Sequence, residues 1–130
     1  MTTGARQLHF LVVDDNEDIR DVFRRLVERA GHLVTTANDG VEAVEALQQE
    51  TFDVMLLDLT MPRMNGVEVV RWMRDHPKVG ATMRVVVISA WAGEHRADLQ
   101  ELGVETVMQK PLRIQQLTDL IAETLPDQES

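Results

Sequence analysis

The 130-residue chain contains no cysteine and no tyrosine, and aromatic residues make up only 4% of it. Without cysteine there can be no disulfide framework and no thiolate chemistry. Lys and Arg number 13 against 22 Asp and Glu, which gives a formal charge of −9. Such an acidic domain lacks the basic face that binding to nucleic acid or to an anionic membrane requires. Disulfide-rich scaffolds, thiol enzymes and direct nucleic-acid binders are therefore excluded.

Long apolar runs are also missing from the chain. No segment approaches the length that spans a membrane, and residues 1–6 contain no apolar core of a signal peptide. We therefore expect a cytoplasmic protein. Hydrophobic residues still make up 44% of the sequence, which is enough for a globular domain with a substantial core. We expect a single domain over 1–130, with a core at about 7–125 and tails at 1–6 and 126–130.

Short apolar runs alternate with segments that repeat apolar residues every three or four positions. The apolar runs predict strands at residues 8–13, 54–57, 85–88 and 104–108, and a more polar segment at 33–37 predicts the second of five strands. The periodic segments predict five helices, at about residues 19–30, 41–47, 67–73, 94–102 and 114–125. A fivefold alternation of strand and helix predicts an α/β fold, in which helices cover both faces of a parallel sheet.

Polar residues with useful chemistry follow four of the five predicted strands. Asp14 and Asp15 follow the first strand, Asp58 the third, Ser89 the fourth and Lys110 the fifth. In open parallel sheets, sites form beyond the carboxyl ends of the strands, so these side chains should converge. Each residue alone reads equally well as a helix cap, a turn residue or a solvated side chain. Their joint placement favours a functional site.

Three carboxylates held close together repel strongly unless a cation lies among them. Oxygen ligands without histidine or cysteine favour Mg²⁺, with Mn²⁺ as a possible substitute, over zinc. Such an ion also binds phosphate oxygens, and Lys110 and the Ser89 hydroxyl could contact the same oxygens. Asp58, between metal and lysine, would then stay ionised and nucleophilic. The pattern predicts phosphoryl transfer to Asp58.

The same residues carry a resemblance to a known family. The stretches LVVDDN at 11–16, DLTMPRMNG at 58–66, VISA at 87–90 and QKPL at 109–112 are similar to motifs of two-component response regulator receiver domains. The similarity spans about residues 7–125. It implies a flavodoxin-like three-layer fold, with a doubly wound (βα)5 sheet in strand order 2-1-3-4-5.

The resemblance also implies a role for each acidic residue. Asp58 matches the family's phosphoacceptor. Asp15 matches the direct Mg²⁺ ligand, and Asp14 matches the carboxylate that acts mainly through water. The backbone carbonyl of Thr60 would complete the protein's metal ligands.

Four positions concern the switch itself. Ser89 matches the family's switch hydroxyl, and Lys110 matches the lysine that contacts the phosphoryl group. The peptide bond from that lysine to the next residue, here Pro111, is typically cis in the family. The family usually has an aromatic residue three positions before the lysine, and here that position is Val107. We therefore expect the output to depend more on rearrangement of the fourth helix, which has few apolar anchors.

The resemblance implies partners on both sides of the switch. The donor would be a phosphohistidine on a sensor histidine kinase or a histidine phosphotransfer protein. The reader would be a downstream protein or output domain that contacts the face of helix 4, strand 5 and helix 5. The domain would not be a turnover enzyme, since it would catalyse only its own phosphorylation and slow dephosphorylation. Both a monomer and a phosphorylation-dependent dimer are compatible with this role. The chain could be a complete single-domain regulator or a receiver domain of a longer protein, and the start at Met1 and the polar tail mildly favour the first.

Two residues should lie at the mouth of the pocket. Thr60 and Trp91 come two positions after Asp58 and Ser89, respectively. We expect them to flank the pocket and to control the access of water, although Trp91 could equally be a packing residue.

Three other functional classes share parts of the pattern. Aspartate-nucleophile phosphatases carry an Asp-x-Asp motif, in which the second carboxylate is the general acid and base. In this chain the corresponding position is Thr60. Flavodoxins need a phosphate-binding loop after the first strand, where Asp14 and Asp15 would repel a phosphate. A degenerate receiver that only binds partners is the third class, and the complete set of polar residues argues against it.

Overall fold

Five parallel strands form one sheet in the spatial order 2-1-3-4-5. The computed structural model describes residues 7–61, 63–80, 83–104 and 106–123. The strands are β1 (His9–Val13), β2 (Leu33–Ala37), β3 (Val54–Leu57), β4 (Arg84–Ser89) and β5 (Thr106–Gln109). The helices are α1 (Glu17–Arg29), α2 (Gly40–Gln49), α3 (Gly66–Asp75), α4 (Arg96–Glu101) and α5 (Ile114–Glu123). The doubly wound sheet and its strand order are confirmed, and the expected tails at 1–6 and 126–130 lie outside the described residues.

Helices cover both faces of the sheet and complete the three layers. On one face the strands pack against α2, α3 and α4, in a cluster that includes Leu11, Leu47, Met55, Leu57, Val70, Val87 and Leu99. On the other face they pack against α1 and α5, in a cluster that includes Phe10, Val12, Phe23, Val27, Leu56, Ile88 and Leu117. Successive strand residues point to opposite faces, so central strands buried on both faces are apolar throughout.

The fourth helical segment differs most from its prediction. A 3-10 turn at Ala92–His95 precedes an α4 of only six residues, and neither has a side-chain cap. The helix then ends in a turn in which the Val104 amide donates to the carbonyl of Leu99 at 2.9 Å. Gly103 adopts a φ of +91° within this turn, which closes the helix in the left-handed conformation that glycine favours. Val104 therefore terminates α4, and β5 begins at Thr106 instead of residue 104.

Side-chain caps start the three helices that follow β1, β2 and β3. Asn16 accepts from the amide of Ile19 at the start of α1, and Asp39 accepts from the amide of Glu42 at the start of α2. Asn65 and Glu68 form a reciprocal capping box at the start of α3. Each cap satisfies backbone amides that the first helical turn leaves free. The caps thereby fix the short loops that surround the polar end of the sheet.

Candidate functional site

The register of β1 and β3 brings the acidic residues together. Val13 pairs with Leu57, so the next residues, Asp14 and Asp58, leave the sheet side by side. The Asp58 amide donates to the Val13 carbonyl at 2.9 Å, which extends the ladder by one bond. Oxygens of Asp14, Asp15 and Asp58 lie within 4.8 Å of one another. The three carboxylates therefore form one group at the end of the sheet, as the strand ends predicted.

Lys110 enters this group from the end of β5. Its Nζ atom lies 2.7 Å from Oδ2 of Asp14 and 3.6 Å from Oδ1 of Asp58. The side chain is only 20% exposed. Its backbone amide donates to the carbonyl of Ser89 at 3.0 Å, which ties it to the end of β4. Lys110 is therefore an ion-pair partner within the acidic group and not a solvated lysine at the rim of the pocket.

Ser89 is the last residue of β4 and is fully buried, whereas the sequence placed it just beyond the strand. Its Oγ atom accepts a hydrogen bond from the Trp91 amide at 3.1 Å. The hydroxyl proton is a donor, and an accepted bond leaves it available for a second partner. Ser89 therefore lies at the wall of the pocket, and its hydroxyl oxygen already accepts a hydrogen bond from the loop that follows β4.

Charge repulsion and burial both act on Asp58. Burial raises the pKa of the Asp58 carboxyl, the negative charge of Asp14 raises it further, and Lys110 opposes these effects. The net shift of the pKa is upward, so Lys110 does not compensate for burial together with the negative charges of Asp14 and Asp15. A second cation would relieve this imbalance. Clustered carboxylate oxygens without histidine or cysteine fit Mg²⁺, which prefers hard oxygen ligands.

A cavity of about 220 Å³ opens onto these side chains. Besides the acidic residues, Ser89 and Lys110, its lining includes Thr60 and Trp91. Both therefore flank the pocket, as expected. Trp91 is 51% exposed, so packing in the core does not explain its position. The Lys110–Pro111 peptide bond is cis, in agreement with the resemblance.

Two residues of the site escaped the sequence reasoning. Gly66 ends the stretch DLTMPRMNG, and a Cβ atom at this position would lie 2.3 Å from the backbone oxygen of Asp58. Gln109 opens the stretch QKPL, and its Nε2 atom donates to the carbonyl of Ala90 at 2.5 Å. An Asn-Gly pair is a common signal of a close turn, whereas no pattern in the sequence signals the Gln109 contact.

Comparison with known proteins agrees with this geometry. Residues 10–122 match the family model described as the response regulator receiver domain. The sensory/regulatory protein RpfC of Xanthomonas campestris is 33% identical over 121 residues, which cover 92% of this chain but 17% of RpfC. The chain therefore spans about a sixth of this curated relative.

Solved structures show the same architecture. The chemotaxis response regulator CheY4 of Vibrio cholerae superposes with a TM-score of 0.83 at 27% identity, over 92% of this chain and all of CheY4. The response regulator protein TrrA of Thermotoga maritima, solved in complex with Mg²⁺ and BeF, gives a TM-score of 0.78 at 25% identity, over 92% of this chain and all of TrrA.

The family match covers most of the chain and includes every residue of the acidic group. Members of this family bind Mg²⁺ at an acidic pocket and interact with histidine kinases or phosphotransfer proteins and with output domains. None of the helices in the described ranges is long and apolar enough to cross a membrane. The chain belongs to the response regulator receiver domains, which act as phosphoacceptor switches in two-component signalling.

Proposed function

We propose that Asp58 is the phosphoacceptor of this receiver domain and that Asp14, Asp15 and the Thr60 carbonyl hold the divalent cation with it. The observation that carries this proposal is the grouping of three carboxylates within 4.8 Å of one another, with the partly buried Lys110 in contact with two of them. Mg²⁺ is the proposed ion, and Mn²⁺ is a substitute with the same ligand preference. When bound, the ion neutralises charge on the phosphoryl oxygens and on the carboxylates.

The two neighbouring carboxylates differ in what they already contact. Asp14 accepts from the Asn16 amide at 2.9 Å through Oδ1 and from Lys110 through Oδ2. Asp15 is exposed to solvent. A carboxylate with both oxygens engaged is better suited to act through water, and an exposed one is free to turn toward an ion. This difference supports Asp15 as the direct ligand and Asp14 as the indirect one.

Asp58 is the nucleophile in this proposal. An ionised oxygen of Asp58 attacks the phosphorus of a phosphohistidine, the phosphorus–nitrogen bond breaks, and an acyl phosphate forms. Lys110, 3.6 Å from Asp58, is placed to pair with the new phosphoryl oxygens, and the buried Ser89 hydroxyl is placed to donate to them. The position two residues after Asp58 holds Thr60, which has no carboxylate for rapid hydrolysis. We therefore propose that the domain promotes its own phosphorylation and loses the phosphate slowly.

The output is proposed to leave through the face of α4, β5 and α5. α4 has only six residues and no side-chain cap, and Leu99 is its one buried residue. Because so few contacts hold α4, we expect it to rearrange more readily than the other described helices. Val107 is half-buried and packs on the core, so it cannot act as a swinging aromatic side chain. A groove of about 300 Å³ lies between β5 and α5 on the same face, lined by residues that include Met108, Gln116 and Leu120.

The remaining parts of the proposal concern the whole molecule. We propose that 1–130 forms one receiver domain with its core at about 7–125. We also propose that it works in the cytoplasm, where fractionation of cells should find it. Size-exclusion chromatography before and after phosphorylation distinguishes a constant monomer from a phosphorylation-dependent dimer.

Phosphorylation with acetyl phosphate and Mg²⁺ tests the acceptor directly. The intact mass of the wild type should increase by one phosphoryl group, and the adduct should be released by hydroxylamine as an acyl phosphate is. Asp58→Asn is nearly isosteric and should remain unmodified. Modification of the Asp58→Asn variant to the wild-type extent would refute the assignment of Asp58.

Lys110→Ala provides the matched test of the lysine. This variant should still bind Mg²⁺, since the three carboxylates remain, but beryllofluoride should no longer change the tryptophan fluorescence. Loss of Mg²⁺ binding in Lys110→Ala would show that its role is structural.

A further inference from the structure

The loop between β3 and α3 carries Thr60, and an ion pair ties this loop to the start of α2. Nε and Nη2 of Arg63 each lie 2.7 Å from Oδ2 of Asp39. Asp39 is only 5% exposed, whereas the arginine side chain is more than half exposed. The other carboxylate oxygen of Asp39, Oδ1, accepts from the Glu42 amide at 2.9 Å. Asp39 therefore holds the helix with one oxygen and the loop with the other.

The backbone joins the same two segments. The Gly40 amide donates to the Met64 carbonyl at 2.9 Å. A Cβ atom at Gly40 would lie 2.3 Å from that carbonyl oxygen, so the loop rests directly on the start of α2. Only a residue without a side chain allows this approach.

The backbone of Arg63 adopts a conformation that an arginine does not prefer. Its φ is +66°, in the left-handed region where glycine and asparagine are the usual residues. From this conformation the Arg63 guanidinium group reaches the Asp39 carboxylate. Burial favours the neutral form of Asp39, yet the Glu42 amide and Arg63 outweigh it and hold the pKa of this carboxyl below its usual value. The ion pair is therefore charged at neutral pH.

We propose that Asp39 and Arg63 are positioning residues, which hold the β3–α3 loop so that the Thr60 carbonyl is placed to bind the divalent cation. This inference rests on the proposed function of the acidic site. One end of the loop is fixed by Gly66, whose amide donates to the Leu59 carbonyl at 3.0 Å. Arg63 fixes the loop on the far side of Thr60. A carbonyl ligand needs placement to within about 0.5 Å, which two anchored flanks provide.

The sign of the effect at Arg63 separates positioning from simple electrostatics. Loss of a positive charge anywhere near the site should strengthen the binding of a cation through space. The positioning role predicts the opposite, since loss of Arg63 frees the loop. Loss of the negative charge of Asp39 should weaken binding under either explanation. The arginine variant is therefore diagnostic.

The variants are chosen to preserve everything except the ion pair. Arg63→Asn accepts a left-handed backbone, and Asp39→Asn still caps a helix. Both variants, and the double variant, are made in a Trp72→Phe background, so that Trp91 at the pocket is the sole tryptophan reporter of Mg²⁺ binding. Titrations at low and at high salt separate screened through-space effects from local ones.

Each single variant should weaken Mg²⁺ binding roughly 10-fold, as is usual when residues that support metal ligands are lost. The double variant should bind no more weakly than the weaker single variant, since the two side chains act as one unit. Arg63→Asn with wild-type or tighter Mg²⁺ binding would overturn the proposal, as would additive losses in the double variant.

Amide hydrogen exchange of the Mg²⁺-free protein gives a readout that does not depend on the metal. The amides of Gly40 and Gly66, which donate to the Met64 and Leu59 carbonyls, should exchange about 10-fold faster in both single variants, while those of β1 and β3 stay unchanged. Equal acceleration across the sheet would show a general loss of stability and would refute the positioning role. If the Trp72→Phe parent does not bind Mg²⁺, the proposed function fails. If the parent binds Mg²⁺ and the variants bind it equally well, only the positioning role is refuted.

Discussion

Gly66→Ala should damage phosphorylation without removing any group that takes part in it. The new Cβ atom would lie 2.3 Å from the backbone carbonyl oxygen of Asp58 and 2.9 Å from the Cα atom of Leu59. Ordinary carbon–oxygen contacts are about 3.3 Å or longer, so the backbone of the acceptor must move by roughly 1 Å. Both close contacts involve backbone atoms, which cannot rotate away as a flexible side chain could.

Two opposing effects set the change in stability that Gly66→Ala causes. Replacement of a glycine by alanine in a helix stabilises a protein by up to about 1 kcal/mol. Overpacking against a fixed backbone costs about 1–3 kcal/mol. The clash should win, with a net loss of about 1–2 kcal/mol and a fall in Tm of roughly 4–8 °C. A 1 Å displacement of a reacting group can slow its reaction about 100-fold, which is the expected loss in phosphorylation rate.

The rate of modification by acetyl phosphate, followed by intact mass, measures this effect alongside thermal unfolding. Gly93→Ala is the matched control, because a Cβ atom at Gly93 would have nothing within 4 Å. It should leave both the rate and the Tm near their wild-type values. A Gly66→Ala protein that is phosphorylated within about twofold of wild type and unfolds at the same temperature would refute the argument from close contact.

Three further outcomes are expected. Folding raises the pKa of the Asp58 carboxyl, so this group favours the folded state at acid pH, and that contribution is lost as pH rises through the raised pKa. Asp58→Asn should therefore have a higher Tm than the wild type at pH 7 without Mg²⁺. Thermal melts at pH 4 should show no such gain. Leu99→Ala should lower the free energy of unfolding by about 2–5 kcal/mol in urea melts, since Leu99 is fully buried, and a loss below 1 kcal/mol would contradict its role as the anchor of α4. Amide exchange over 92–104 should differ between the free and the phosphorylated domain, and identical protection would refute the role of α4 in the output.

Strand positions were predictable from the sequence because central strands covered on both faces must be apolar throughout. β3 begins and ends where its apolar run does, whereas the edge strand β2 is more polar and only one of its residues is buried. The fourth helix was harder, because Leu99 and Leu102 were its only clear anchors and a pattern with two anchors does not fix helix boundaries. Whether Val104 belongs to a strand or to a helix end depends on a backbone bond to Leu99, which apolar character does not reveal.

Most of the candidate site was predictable for a related reason. Parallel strands all end at the same edge of the sheet, so polar residues at strand ends are brought together by topology alone. Asp14, Asp15, Asp58, Ser89 and Lys110 could thus be grouped before any distance was known. The assignment of each residue to a role in phosphoryl transfer stays a prediction.

The sequence by itself determined the layers, the strand order implied by its family resemblance, and the set of polar residues at one end of the sheet. Only the tertiary structure decided how these residues are supported. Asp39 and Arg63 are 24 residues apart and belong to different loops, and Gly66 meets the backbone of Asp58 across a turn. Periodicity reports which residues are buried, because burial depends on local pattern. Contacts between separate loops depend on where the whole chain places them, and no local pattern carries that information.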